Sequence, residues 1–257
     1  MNKPIALFDS GVGGLTVLKS AMELLPCENY LYFADNGYFP YGTKPHDELR
    51  LRLTKLLQFV CKFNPKVIVI ACNTASLHVE YLQSLTNVPI VDVIAPTCNY
   101  VKSLSKNKKV CLLATDATVH SQRYQQILKN VGIDVVAVSC SQFVPIAESG
   151  VCDNSAMQVI SNKLQPIAEL DFDAAILGCT HFGLIQKQIC NILGQRNYVQ
   201  CGKPTSKVLF DVLSKNNVLC NTAKGNVNVF TSGKNQSAIN ICNQLSISFD
   251  SISTVQI

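Results

Sequence analysis

Val67-Ile68-Val69-Ile70-Ala71-Cys72-Asn73-Thr74 carries five apolar residues into a cysteine and then into small polar residues. A short, β-branched apolar run closed in this way reads as a buried strand of a parallel sheet feeding a helix. The passage recurs as Ala174-Ala175-Ile176-Leu177-Gly178-Cys179-Thr180-His181. A second pair echoes it: Phe8-Asp9-Ser10 and Ala114-Thr115-Asp116 each close a strand, at nearly the same interval as the two cysteines. Two coincidences in one register predict two related lobes facing each other, with the cysteines on opposite sides of one cleft.

Working outward, buried strands are expected at Ile5–Phe8, Tyr30–Ala34, Val67–Ala71, Ile90–Val93, Val110–Ala114, Val135–Ser139, Ala174–Gly178, Tyr198–Cys201 and Val227–Thr231. Most are separated by enough chain for a helix, so the fold class is α/β with parallel sheets flanked by helices.

The 257 residues suffice for one large domain or two modest ones with a substantial core. With 47% hydrophobic and 15% charged residues the chain is on the folded side of the disorder boundary. The net charge of +5 is spread over dispersed lysines, and its densest cluster, Lys106, Lys108 and Lys109, reads as a solvated turn, so no nucleic-acid partner is expected. Only four arginines occur, Arg50, Arg52, Arg123 and Arg196, so an acidic ligand must be held largely by other donors.

The twelve cysteines include no C-x-x-C pair and sit in apolar segments, as reduced thiols do. The start, Met1 to Asp9, is too short in apolar residues for a signal peptide, and no stretch approaches a membrane span. The expected compartment is the cytoplasm.

Cys72 and Cys179 should stand at carboxyl ends of strands, where open α/β sheets bind ligands. Helix N-terminal N–H groups there are expected to lower a thiol's pKa toward neutrality. The competing reading is a packed core thiol. His181 is placed to exchange a proton with Cys179. Cys179-x-His181, even with Cys72 and His78, matches no zinc spacing, and no metal is expected.

Asp9-Ser10-Gly11-Val12-Gly13-Gly14 fails the dinucleotide pattern because Thr16 occupies the last glycine position. It reads either as a helix-capping turn or as a ligand turn in which Asp9 meets an ammonium group and the Ser10 hydroxyl and N–H meet a carboxylate. Asp35 to Thr43 reads as a loop fixed by Pro40 and Gly42, and Glu148 as a helix-surface carboxylate. His46, His78 and His120 read as surface or packing residues.

Together, Asp9-Ser10-Gly11-x-Gly13-Gly14, Asp35 with Pro40-Tyr41-Gly42, Ala71-Cys72-Asn73-Thr74-Ala75, Phe143-Val144-Pro145 with Glu148, and Gly178-Cys179-Thr180-His181 resemble bacterial glutamate racemases, within the aspartate/glutamate racemase superfamily. Order and spacing agree over nearly the whole chain. The resemblance implies one lobe from residues 1–95 plus 206–257 and another from 96–205, with the substrate between them. It implies Cys72 and Cys179 as the acid/base pair and Asp9, Glu148 and His181 as proton-transfer assistants. Substrate contacts would be Asp9, Ser10, Tyr41, Gly42, Asn73, Thr74, Thr118, Thr180 and His181.

It further implies a cofactor-independent isomerase supplying D-glutamate for peptidoglycan, working as a homodimer. The alternatives are an aspartate racemase or decarboxylase of the same superfamily, and a non-catalytic module that binds a small acid. The chain departs from the family pattern at Ala114-Thr115 for Gly-Thr, Phe182-Gly183 for an aromatic-Pro pair, Gln200-Cys201-Gly202 for Asp-Ser-Gly, and Lys234 for an aspartate after Gly233.

Overall fold

The computed structural model describes residues 3–105, 108–221 and 224–257; Met1, Asn2 and Lys106 lie outside the described residues. In chain order the elements are β1 (Ile5–Asp9), α1 (Leu15–Leu24), β2 (Tyr30–Ala34), α2 (His46–Cys61), β3 (Val67–Ile70), α3 (Asn73–Ser76), α4 (Val79–Ser84), β4 (Ile90–Asp92), α5 (Ile94–Leu104) and β5 (Lys109–Ala114). There follow α6 (Asp116–His120), α7 (Arg123–Lys129), β6 (Asp134–Ser139), α8 (Phe143–Ser149), α9 (Asn154–Leu164), β7 (Ala174–Gly178) and α10 (Gln186–Leu193). The chain continues through β8 (Asn197–Gln200), α11 (Gly202–Lys215), β9 (Val227–Thr231), α12 (Gln236–Gln244) and β10 (Ser251–Thr254).

The strands form two parallel sheets, ordered β10-β9-β2-β1-β3-β4 and β6-β5-β7-β8. The order β2-β1-β3-β4 of the first sheet is repeated as β6-β5-β7-β8 in the second, which is the structural form of the sequence echo. The pairing is similar too: the last pair of β1 with β3 is Phe8 with Ile70, and the last pair of β5 with β7 is Ala114 with Gly178. The α/β class is borne out.

Both faces of each sheet carry a hydrophobic core, which is why the inner strands β2, β3 and β7 read as unbroken apolar runs. The two-residue period sends Ile5 and Leu7 into one core and Ala6 and Phe8 into another on the opposite face. In the second sheet Cys111 and Leu113 face one core, and Val110, Leu112 and Ala114 the other. In each sheet the chain crosses in opposite directions from the central β1 or β5, leaving a crevice beyond the carboxyl ends of those strands. Among the described residues no helix is long and apolar enough to cross a membrane.

Candidate active site

Cys72 and Cys179 occupy matching places just past a strand's carboxyl end, Cys72 two residues beyond Ile70 of β3 and Cys179 one beyond Gly178 of β7, each immediately before a helical turn. Each keeps extended backbone angles, φ −116° and ψ 126° for Cys72 and φ −142° and ψ 133° for Cys179, before the chain turns into helix. Gly178 permits close strand packing there, since a Cβ on it would stand 2.6 Å from Leu112 Cδ1.

The two sulfurs open on one cleft of about 520 Å³, counting the space open to solvent at its mouth. Asp9, Ser10, Tyr41, Gly42, Cys72, Asn73, Thr74, Cys179, Thr180 and His181 all line it. Glu148 stands one contact back, behind His181. Thr118 does not line the cleft: it is buried behind Thr115, whose hydroxyl caps α6 and donates to Thr118 Oγ1 at 3.1 Å. Thr115 itself faces the cleft, as does Ser141.

The Asp9 carboxylate is held by protein donors: the Ser10 N–H at 2.7 Å, the Gly14 N–H, and the Thr180 hydroxyl from the other sheet at 3.1 Å. The expected use of the Ser10 N–H for a ligand carboxylate is thereby corrected, because that group is spent on Asp9. Burial pushes the Asp9 carboxyl up from its ordinary value, against the opposing pull of His181 and of donors that include Cys72.

The expected lowering of the Cys72 thiol pKa is also corrected. Burial, then the charges of Asp9 and Cys179, raise it well above the ordinary value. The single turn of α3 and its Ala75 N–H do not offset a side chain that is only 6% exposed.

His181 is arranged the other way. Burial alone lowers an imidazole's pKa, but hydrogen bonds with Cys179 and Glu148 outweigh it and hold the ring's pKa well above its ordinary value. Nδ1 faces Cys179 Sγ at 3.8 Å and Nε2 bonds Glu148 Oε2 at 2.5 Å. The turn of Thr180 and His181 is packed so tightly on Gly13 that a Cβ there would come 2.5 Å from His181 Nδ1 and 2.7 Å from Thr180 Oγ1. That close approach requires glycine.

The Tyr41-Gly42 wall is anchored from beneath. Tyr41 donates to Asp35 Oδ2 at 2.7 Å, and Arg52 grips both Asp35 oxygens at 2.8 Å and 2.5 Å. Ser232 adds a 2.6 Å bond to Asp35 Oδ1. One of the few arginines is therefore spent on building the wall.

The family model of Asp/Glu/hydantoin racemases matches residues 17–199. The chain is 34% identical over 249 residues to a glutamate racemase of a Thermoanaerobacter species, covering 95% of this chain and 93% of the relative. The chain belongs to the Asp/Glu racemase family. It is an isomerase of the amino-acid racemase class, with glutamate racemases as its relatives. Among solved structures, a glutamate racemase of Bacillus anthracis superposes with a TM-score of 0.93 at 28% identity, covering 99% of this chain and 98% of that one. A glutamate racemase of Francisella tularensis in complex with D-glutamate superposes with a TM-score of 0.90 at 31% identity, covering 99% and 98%.

In this racemase two of the family departures touch one another. A Cβ at Gly183 would stand 2.9 Å from Gln200 Oε1, so the residue lacking proline's ring faces the longer side chain. A third, Cys201, lies beneath Asn73. Nothing in the structure explains Lys234.

Proposed function

We propose that this racemase interconverts L- and D-glutamate without a cofactor, by proton transfer between Cys72 and Cys179. The observation that carries the proposal is the placement of two cysteines at equivalent strand ends of two matched sheets, both lining one cleft. A base on one face and an acid on the other invert the α-carbon with no rotation of the substrate.

The surroundings support different starting roles for the two cysteines. His181, protonated and backed by Glu148, stabilises negative charge on the Cys179 sulfur. Burial and Asp9 keep Cys72 as a thiol. Cys179 then removes the α-proton of L-glutamate while Cys72 protonates the opposite face, and D-glutamate is processed with the roles exchanged. Asp9, joined to both Cys72 and Thr180, is positioned to follow that exchange of protons. Developing charge on the substrate carboxylate is met by the Asn73 amide, by the Thr74 hydroxyl, which can turn to it from Thr115 Oγ1 at 3.2 Å, and by the Asn73 and Thr74 N–H groups at the start of α3, which have no helical acceptor.

The wider reading follows the family resemblance of the sequence. The cleft lies between a lobe of residues 1–95 with 206–257 and a lobe of residues 96–205, the enzyme works in the cytoplasm as a homodimer, and its D-glutamate serves peptidoglycan.

The test is to incubate purified, reduced protein with L-glutamate and separately with D-glutamate, without added cofactor, and to follow optical activity. Decay from both sides to zero is expected. Turnover of aspartate in place of glutamate would make it an aspartate racemase, and tight binding of either acid without turnover would make it a binding module.

A further inference from the structure

Asn73 follows Cys72 at the end of the first sheet, yet its amide is held from the second. Tyr124, on α7, donates its hydroxyl to Asn73 Oδ1 at 2.7 Å. Asn73 Nδ2 donates to Cys201 Sγ at 3.6 Å, and Cys201 in turn donates to the carbonyl of Leu177 at 3.5 Å, on β7 two residues before Cys179. Tyr124, Asn73 and Cys201 are all buried.

The Cys201 sulfur lies 3.6 Å from Asn73 Nδ2 and 3.8 Å from Oδ1, so the orientation of the amide turns on the Tyr124 hydroxyl. The Tyr124 phenol is fully buried, and burial, followed by the charges of Cys201 and Cys98, raises its pKa well above the ordinary value, so the hydroxyl keeps its proton. Its other polar neighbour is the Cys201 sulfur at 3.9 Å, a weak acceptor, so the proton goes to Asn73 Oδ1. With Oδ1 taken and one Nδ2 hydrogen on Cys201, the second Nδ2 hydrogen has no partner among the described residues, on a side chain that lines the cleft.

We infer that Tyr124 is a positioning residue that locks the Asn73 amide as a hydrogen-bond donor toward the carboxylate of the amino-acid substrate, with Cys201 as a weaker second support. The inference rests on the proposed substrate contact of Asn73. Because Tyr124 lies on α7, between β5 and β6 of the second sheet, and Asn73 follows β3 of the first, the same bond ties the Cys72 turn to the helices of the second sheet. A thiol at position 201 makes longer, weaker contacts than a hydroxyl, which leaves most of the orienting to Tyr124.

The experiment measures KM and kcat in both directions for Tyr124→Phe, Cys201→Ala, Asn73→Ala and the two double variants with Asn73→Ala, with thermal melting as the check of folding. Tyr124→Phe keeps the ring but strands a buried acceptor, so KM should rise about tenfold with kcat within about twofold of wild type. Cys201→Ala should raise KM about two- to threefold. Both effects should vanish in the Asn73→Ala background, because both act through that amide. Should Tyr124→Phe not fold, Cys201→Ala and its double variant carry the test alone. An unchanged KM in Tyr124→Phe, or in Cys201→Ala where it stands alone, beside a raised KM in Asn73→Ala overturns this inference only. An equal factor in both backgrounds, or a loss confined to kcat, overturns it as well. An unchanged KM in Asn73→Ala overturns the substrate contact and the inference with it.

Discussion

Glu148 Oε2 and His181 Nε2 stand 2.5 Å apart, a bond from α8 to the turn after β7 that fixes the imidazole with its other nitrogen toward Cys179. The cleft is therefore asymmetric although the sheets are matched. Cys179 has a cationic neighbour, whereas Cys72 has the carboxyl of Asp9.

Glu148→Gln removes one of the contacts that raise the His181 pKa. The imidazolium should then lose its proton at lower pH, so the basic limb of the kcat/KM profile moves to lower pH. Activity at neutral pH should fall by about 10- to 100-fold. A pH–rate profile checks this, and an unmoved basic limb would show that Glu148 acts only in packing.

Stability should respond to the same group. The folded-state pKa of His181 lies well above its ordinary value of 6.5, so its contribution is fully present below that pH and is lost as pH rises through the folded value. The raised carboxyl of Asp9 gives a loss of the same sign, with its contribution present below its ordinary 3.8 and lost as pH rises. Tm should therefore decline from pH 7 toward pH 10, and more shallowly in His181→Asn. Thermal scans of both proteins across that range make the comparison.

Two glycine substitutions should separate activity from stability. Gly13→Ala drives a methyl group against His181 and Thr180, and a displacement of about 1 Å in that turn should cost about 100-fold in kcat/KM. Gly132 has φ +75° with open space around it, so Gly132→Ala should lose about 1 kcal/mol of stability and no activity. Kinetics and denaturant melts on the pair decide it.

The two threonines at the start of α6 can be told apart by kinetics. Thr115→Val should raise KM for glutamate about tenfold, since its hydroxyl faces the cleft and meets Thr74. Thr118→Val should act chiefly on stability, through the lost bond to Thr115. A larger KM effect at Thr118 would restore the direct contact that the resemblance implies.

That pair illustrates what could be read in the sequence. All nine expected strands and both cysteine turns are present, and the signal is continuous where a strand is covered on both faces, as in β2, β3 and β7. The edge strand β10, Ser-Ile-Ser-Thr at residues 251–254, carries no such signal, being three-quarters polar and mostly exposed. Which of two threonines three residues apart faces the cleft depends on the capping geometry of α6, which composition does not encode. Glu148 read as a surface carboxylate because its partner arrives from another strand end. Tyr124 carries no signal in the sequence, since a tyrosine on an apolar helix face looks like core until its hydroxyl's partner is known.

The most direct test of the two-cysteine proposal is a first-turnover experiment in heavy water. L-glutamate with an α-protium is incubated with the enzyme, and both enantiomers are recovered at less than about a tenth of conversion and analysed for α-deuterium. Two bases on opposite faces predict D-glutamate deuterated at the α-carbon beside L-glutamate still carrying protium. D-glutamate that retains protium, or an L-glutamate pool that exchanges as fast as the product forms, would mean that one group serves both faces and would contradict the proposal.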